Sequence, residues 1–424
     1  MSGQNAWMIS GARTAEGTTR DWYVADGHVV DEPASGATRI DADGLLILPG
    51  LVDLHTHLRE PGREDAETVR TGTLAAAKGG FTCVHAMANT DPVTDTAEKA
   101  ETIWELGRRD GSAQVVPVGA ITKNLEGREL AEMGLMFSSR AGVTVFSDDG
   151  HCVMDALLMR RALEWVRPFY GLIAQHAQDT HLAGPGACAH ESEISGRLGL
   201  GGWPSAAESV IVARDVQLAK LTGSRVHIYH VSTAESVEVI RWAKKQGIRV
   251  TAEATPHHLY LSTHEIEGYD TTFKVNPPLR TDEHIEALRQ GLADGTIDTV
   301  GTDHAPHAVQ DKDHAFVDAK PGMLGLEQAL AVVMETMVST DRMTWGQVAD
   351  RMSYAPARLG QVTGQGQLID VGAPATFVLV DPSARAVVDR NLSASLSRNN
   401  PYHGRDLPDP VVATMWAGRL TYQR

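Results

Sequence analysis

His55 and His57 stand two apart at the end of the apolar run LVDLHTH. Side chains alternate faces along an extended strand, so both imidazoles point the same way and can reach one metal ion. Other acids and imidazoles close other apolar runs: Asp148 and Asp149 in VTVFSDD, His176 in GLIAQHA, His230 in RVHIYHVS, and Asp303, His304 and His307 in IDTVGTDHAPH. Together they form a nitrogen and oxygen donor set suited to Zn²⁺ or a similar divalent ion. A lone His-x-His is weak, because such pairs arise by chance. Donors at five run ends are strong, because the alternative, satisfied core histidines, needs five coincidences. One ion lowers the pKa of bound water from about 15.7 to near 7, and a second polarises the carbonyl under attack. A carboxylate then shuttles the proton, and Asp303, beside histidines at the end of the last run, is placed to do so. The chemistry expected is hydrolysis of an amide-like or ester-like bond, or its reverse.

Something must bring these run ends together. Between about residues 50 and 365, eight strand-like runs alternate with helix-compatible segments: LVDLHTH, FTCVHAMA, QVVPVGAIT, VTVFSDD, GLIAQHA, RVHIYHVS, RVTAEATPHHL and IDTVGTDHAPH. That alternation predicts an α/β fold with a parallel (β/α)₈ barrel, whose active site lies at the C-terminal strand ends. An open doubly wound sheet is the alternative, but no G-x-G-x-x-G follows the first strand. In PSAAESVIVARDVQLAKLTG, Ser205 and Glu208 fit a capping box ahead of helically spaced apolar residues. Residues 1–49 and 366–424 instead read as short strands between turn residues, which predicts antiparallel sheet. Neither end can bury a core alone. They are expected to combine into one small β-sandwich beside a catalytic barrel of residues 50–365.

Composition narrows the partners. The 424 residues carry a net charge of −16, which argues against nucleic acid and against an anionic membrane surface. An anionic small substrate stays open, since a few local cations decide that. Cys83, Cys152 and Cys188 fit neither a zinc knuckle nor a redox pair and read as reduced thiols of a cytoplasmic protein. No secretory signal or membrane-spanning run is visible.

The segments PGLVDLHTHLREPG (49–62), GGFTCVHAMANTDPV (79–93), FSDDG (146–150), IAQHA (173–177), VHIYHVST (226–233), TAEATPHHL (251–259), KVNPPLR (274–280), GTDHAPH (301–307) and PGMLGLE (321–327) resemble the cyclic amidohydrolases, and within them the long bacterial dihydroorotases. The resemblance spans essentially the whole chain. It implies reversible cyclisation of N-carbamoyl-L-aspartate to L-dihydroorotate in pyrimidine synthesis. It also implies one or two Zn²⁺ ions per chain, two being favoured, with His55 and His57 on the first, Asp149 bridging, His176 and His230 on the second, and Asp303 as both ligand and general acid/base. Substrate contacts are implied for His57, Arg59, Asn89, His307, Asn276, Pro321 and Gly322. A homodimer is implied too, and association with aspartate transcarbamoylase as in some relatives.

The residues agree in type. Arg59 offers a planar fork for a carboxylate, although Glu60 or Glu64 could instead engage it at the rim. Asn89 and Asn276 also suit turns. His257 and His258 read as packing or supporting residues. Many related enzymes bridge their metals with a carbamylated lysine after the fourth strand. This chain offers none there, and Lys123, after the third strand, is the nearest. The polar segment 307–325 is expected to act as a lid. Two other readings follow from the same residues: a hydantoinase or allantoinase acting on another cyclic amide, and a non-catalytic scaffold subunit. HLREPG with Asn89 and His307 suits an acidic substrate, and a scaffold should lack some ligands.

Overall fold

In the computed structural model, residues 6–424 are described; residues 1–5, where the expected β-domain begins, lie outside them. One parallel strand falls within each of the eight apolar runs: β1 Leu51–Thr56, β2 Phe81–Ala86, β3 Gln114–Pro117, β4 Val145–Phe146, β5 Leu172–Gln175, β6 Arg225–Ile228, β7 Val250–Ala254 and β8 Thr299–Val300. β1, β2 and β3 pair in that order, as do β4 through β8. Gly119 bridges to Phe146 beyond β3, and His304 beyond β8 bridges back to Thr56 of β1. The bond from His57 N to the His304 carbonyl, 2.9 Å, belongs to this last junction. Buried Asp53 reinforces it, accepting from Thr302 N, Thr302 Oγ1 and Thr56 Oγ1 at 3.0, 2.5 and 2.6 Å. These strands read as continuous apolar runs because they are covered on both faces.

Helices follow most strands, among them Val69–Lys78, Ala97–Asp110, Ala156–Val166, Ala206–Thr222, Ala234–Lys245 and Asp282–Asp294. The capping box expected at Ser205 and Glu208 does not form. Ser205 Oγ donates to Glu235 Oε1 at 2.8 Å. Glu208 turns inward and accepts from Ser232 N, Thr233 N and both hydroxyls of that loop. A distant pair of orphan amides outcompeted the local one.

The chain ends meet in one sheet, ordered 419–423, 411–416, 377–380, 46–49, 7–13, 19–25 and 28–30. It departs from the antiparallel expectation: strands 38–41 and 46–49 both run parallel to 7–13. Residues between them cross back over the sheet, so successive strands need not form hairpins. Alternation splits each strand between two cores. Ile47, Phe377 and Leu379 pack with Ile9, Trp22 and Val24, whereas Leu46, Leu48, Val378 and Val380 join the large core of the α/β region. Among the described residues the three cysteines are free. No helix there is long and apolar enough to cross a membrane.

Candidate active site

His55, His57, Asp149, His176, His230 and Asp303 come from the C-terminal ends of five strands, and all six are buried. Their donor atoms form two groups that share Asp149. In each group every donor lies within 4.8 Å of the others: His55, His57, Asp149 and Asp303 in one, Asp149, His176 and His230 in the other. Asp149 Oδ2 is 3.3 Å from both His55 Nε2 and His57 Nε2. Its Oδ1 is 3.3 Å from His230 Nε2 and 3.4 Å from His176 Nδ1.

The far nitrogens decide what the near ones can do. His55 Nδ1 donates to Glu253 Oε1 at 2.7 Å, and His57 Nδ1 to Asn89 Oδ1 at 2.9 Å. His176 Nε2 donates to Gln178 Oε1 at 2.8 Å. The second nitrogen of each of these three rings therefore faces the cluster, where it can bind a metal in place of a proton. His57 Nε2 faces Asp303 Oδ1 at 3.0 Å. His55 Nε2 is buried without a hydrogen bond, and His176 Nδ1 lies 2.9 Å from His230 Nε2. Two lone pairs that close repel unless a proton or cation lies between them. The donors and the orphaned nitrogen fit a divalent cation in each group.

The local field is strongly negative. Burial alone would keep His55 neutral, yet Asp149, Glu253 and Asp303 outweigh it and hold its pKa well above the usual value. Burial would likewise raise Asp149 and Asp303, but the surrounding imidazoles hold both carboxyls below the ordinary range. Both are carboxylates at neutral pH. Three non-glycine residues here have left-handed backbone: Arg59 (φ 61°), His230 (φ 34°) and Asp303 (φ 44°). Such conformations cost about 1–3 kcal/mol each and persist where surrounding contacts over-determine them.

The residues expected around the substrate divide into two sets. Arg59 is half-buried; only its Nε is engaged, donating to the Pro306 carbonyl at 3.0 Å. Partial burial lowers its pKa to about 10, which leaves it charged. It pairs with neither Glu60 nor Glu64, which accept from the backbone amides of Val69 and Gly62. His307 Nε2 donates to the Pro321 carbonyl at 2.8 Å. Burial and Arg59 push its pKa down to about 2, so it is neutral. Gly322 lies against the same ring: a Cβ there would stand 2.8 Å from His307 Nε2, and its φ of 140° suits glycine alone. The other two reach the histidine cluster instead. Asn89 orients His57, and Asn276 Nδ2 donates at 3.2 Å to Gln178 Oε1, the acceptor for His176. Asn276 Oδ1 is buried without a partner.

His304 takes no part in the cluster: Gly325 N and Leu326 N donate to its Nδ1, and its Nε2 faces Glu67 at 3.3 Å. Asp148 holds the loop after β3, accepting from Ile121 N and Thr122 N at 2.8 and 2.9 Å. Lys123 is excluded as a bridging ligand, because it is exposed and paired with Glu129 at 2.6 Å. His258 is tied to Thr255 Oγ1 and the Pro277 carbonyl. His257 is fully buried with neither ring nitrogen bonded. Segment 307–325 is fastened down: Lys312 Nζ donates to the Thr271 and Lys274 carbonyls, and Lys274 Nζ to that of Val317.

Sequence reasoning missed Glu253 and Gln178. An acid inside the buried run VTAEA was the available signal for Glu253. Gln178, just past a strand end, carried none. It also missed Tyr229, whose ring stacks on His55 with centroids 4.1 Å apart.

Residues 44–236 match the Dihydro-orotase-like family. The chain is 56% identical over 419 residues to a dihydroorotase of Streptomyces coelicolor, covering 98% of this chain and 97% of that protein. It is 54% identical over 419 residues to the dihydroorotase of Leifsonia xyli subsp. xyli, with coverage of 98% and 95%. For the dihydroorotase of Mycobacterium tuberculosis the identity is 50% over 420 residues, with coverage of 98% and 97%. Among solved structures, L-hydantoinase (dihydropyrimidinase) from Arthrobacter aurescens matches with a TM-score of 0.87 at 24% identity, covering 99% of this chain and 96% of that one. Dihydropyrimidinase from Brevibacillus agri matches with a TM-score of 0.86 at 23% identity, covering 99% and 95%. At those identities the likeness is one of fold.

Proposed function

The chain belongs to the dihydroorotase family, and from that premise we propose that it catalyses the reversible, zinc-dependent cyclisation of N-carbamoyl-L-aspartate to L-dihydroorotate plus water in pyrimidine biosynthesis. The observation that carries this reading is Asp149 set between two imidazole pairs, each with donor nitrogens turned inward. The ring of parallel strands is read as a (β/α)₈ barrel of residues 50–365, and the terminal strands within 1–49 and 366–424 as a small β-sandwich. A cytoplasmic homodimer, able to associate with aspartate transcarbamoylase, completes the proposal.

His55, His57, Asp149 and Asp303 would hold one zinc ion; Asp149, His176 and His230 would hold the second. When bound, the cations lower the pKa of water at the site and polarise the carbonyl under attack. Asp303 moves the proton. In the hydrolytic direction its carboxylate takes a proton from the attacking water and delivers it to the ring nitrogen as the C–N bond breaks. In the cyclising direction the same carboxyl removes the proton from the carbamoyl nitrogen and returns it to the departing oxygen. Arg59, with both Nη groups free of partners among the described residues, receives the α-carboxylate. His307 and Asn89 line the same end, and Asn276, Pro321 and Gly322 face the ring. His57 would hold the metal and also line the substrate.

The test is dihydroorotate hydrolysis by the purified protein, with metal analysis, beside Asp303→Asn. The expected result is turnover with bound zinc, and a folded variant at least about a hundredfold slower, the usual weight of a general acid/base. A variant as fast as the parent removes Asp303 from the mechanism, and absence of turnover in the zinc-loaded parent removes the activity.

A further inference from the structure

Beside His307 lies a cavity of about 400 Å³ between segment 307–313 and the C-terminal stretch 390–399. Its lining includes Arg390, Arg398, Lys312, His307 and Asn399, with Asp313 as the one carboxylate. Neither guanidinium has a carboxylate partner among the described residues. Arg390 bonds only through its backbone, its N donating to His403 Nδ1 and its carbonyl accepting from Ser393 N, so no hydrogen bond among the described residues engages its guanidinium. Arg398 directs Nη1 at the carbonyls of Ser395, Leu396 and Ser397, which leaves Nε and Nη2 without protein acceptors. Lys312 reaches only carbonyl oxygens. Three cationic side chains around one hollow are a local reversal on a chain of net charge −16.

Some arginines elsewhere on this surface find acids, such as Arg140 with Glu101 and Glu105 and Arg385 with Glu335 and Asp406. The hollow is held open by bonds that do not involve its free cationic groups. Asn399 ties one wall to the Ala305 and Gly322 carbonyls at 2.9 and 3.2 Å, and Arg398 Nη1 pins the other. The donors left over, a planar guanidinium edge on Arg398 and the whole head of Arg390, match oxygen pairs on an anion.

We propose that this cavity binds a small molecule carrying two negative charges on oxygen, either a phosphate group or a dicarboxylate. Burial and the neighbouring Lys274 lower the Lys312 pKa to about 7, a penalty that a bound dianion would relieve. The wall shared with His307 joins this cavity to the substrate clamp. For the dicarboxylate the proposal rests on the proposed activity, whose acyclic substrate has two carboxylates.

The test is calorimetric titration of the zinc-loaded full-length protein with inorganic phosphate, comparing the parent with Arg390→Gln and with Arg13→Gln, which removes an exposed charge elsewhere. The metal centre gives its own event in all three. The expected result is a second event that Arg390→Gln weakens about tenfold or more and Arg13→Gln leaves alone, the weight of one charge-assisted contact. Arg398→Lys, which keeps the charge but loses the fork, should weaken it too. A several-fold rise in KM for N-carbamoyl-L-aspartate in Arg390→Gln, at unchanged kcat, adds the dicarboxylate; an unmoved KM assigns the cavity to phosphate. Identical phosphate binding in parent and Arg390→Gln, or equal losses in both glutamine variants, overturns the site. Absence of turnover with the phosphate event intact would sink the proposed function and leave the site standing.

Discussion

Glu253 Oε1 lies 2.7 Å from His55 Nδ1, although 198 residues separate them in the chain. The same oxygen is 3.3 Å from the amide of His230, and Oε2 is 3.4 Å from His227 Nε2. One buried carboxylate thus fixes the orientation of His55 in the first group and the backbone of His230 in the second. Burial pushes Glu253 up, but His55 and His227 outweigh it and bring its pKa down to about 2. Glu253→Gln keeps the shape and removes the charge. Zinc affinity should fall about tenfold to a hundredfold, measured by chelator competition, with the fold kept by circular dichroism. Unchanged affinity would reduce Glu253 to a packing residue.

Asn276 and His176 meet through Gln178, whose Oε1 accepts from both. Gln178→Ala would free the His176 ring and leave two donors unpaired. If two zinc ions bind as proposed, the expected outcome is partial loss of one of them, read by metal analysis, together with slower dihydroorotate turnover. Full zinc content with only a raised KM would place Gln178 with the substrate instead.

Glu208 caps the loop that carries His230. It accepts from Ser232 and Thr233, and Arg280 Nη2 lies 3.9 Å from its Oε2, with both side chains buried. Glu208→Ala strands the Arg280 charge in the core and should cost about 3–5 kcal/mol in denaturant unfolding. A loss under about 1 kcal/mol would mean that the loop is held without it.

Glu67 joins the start of helix 69–78 to the C-terminal stretch, accepting from Ser395 Oγ and from Leu396 N at 3.0 Å. Burial raises its pKa, but His304, Ser395 and Thr71 outweigh this and leave it below the usual 4.5. A depressed carboxyl contributes stability above its unfolded pKa, and that share is lost as pH falls through the lower folded value. The stability gap between parent and Glu67→Gln should therefore be full at pH 7, about 1–3 kcal/mol, and shrink below about pH 4.5. A gap independent of pH would show that Glu67 acts by shape rather than charge.

Segment 307–325 is anchored at Lys312 and Lys274, yet His307 and Gly322 belong to it. If it closes over substrate, its amides should gain hydrogen-exchange protection when dihydroorotate binds. Equal protection with and without ligand would make it a fixed wall.

Much of the site was legible in the residues themselves. A two-residue spacing puts His55 and His57 on one face whatever follows, and an apolar run ending in an imidazole or carboxylate announces its position at a strand end. These are local statements, fixed by the geometry of an extended backbone. Local patterns could not decide partners. Ser205 and Glu208 had the spacing of a cap and found other bonds across the core, because Ser232 and Thr233 offered orphan donors in a buried place. Asn89 and Asn276 look like turn residues, and only the fold brings them to His57 and Gln178. Glu253, Gln178 and the unpaired arginines of the C-terminal stretch acquire meaning from neighbours as far as 198 residues away in the chain. Sequence determined which atoms could bind a cation and at which strand ends they stand. Tertiary structure decided which nitrogen of each ring faces inward, because a tautomer is set by the hydrogen bond made on the far side of the ring.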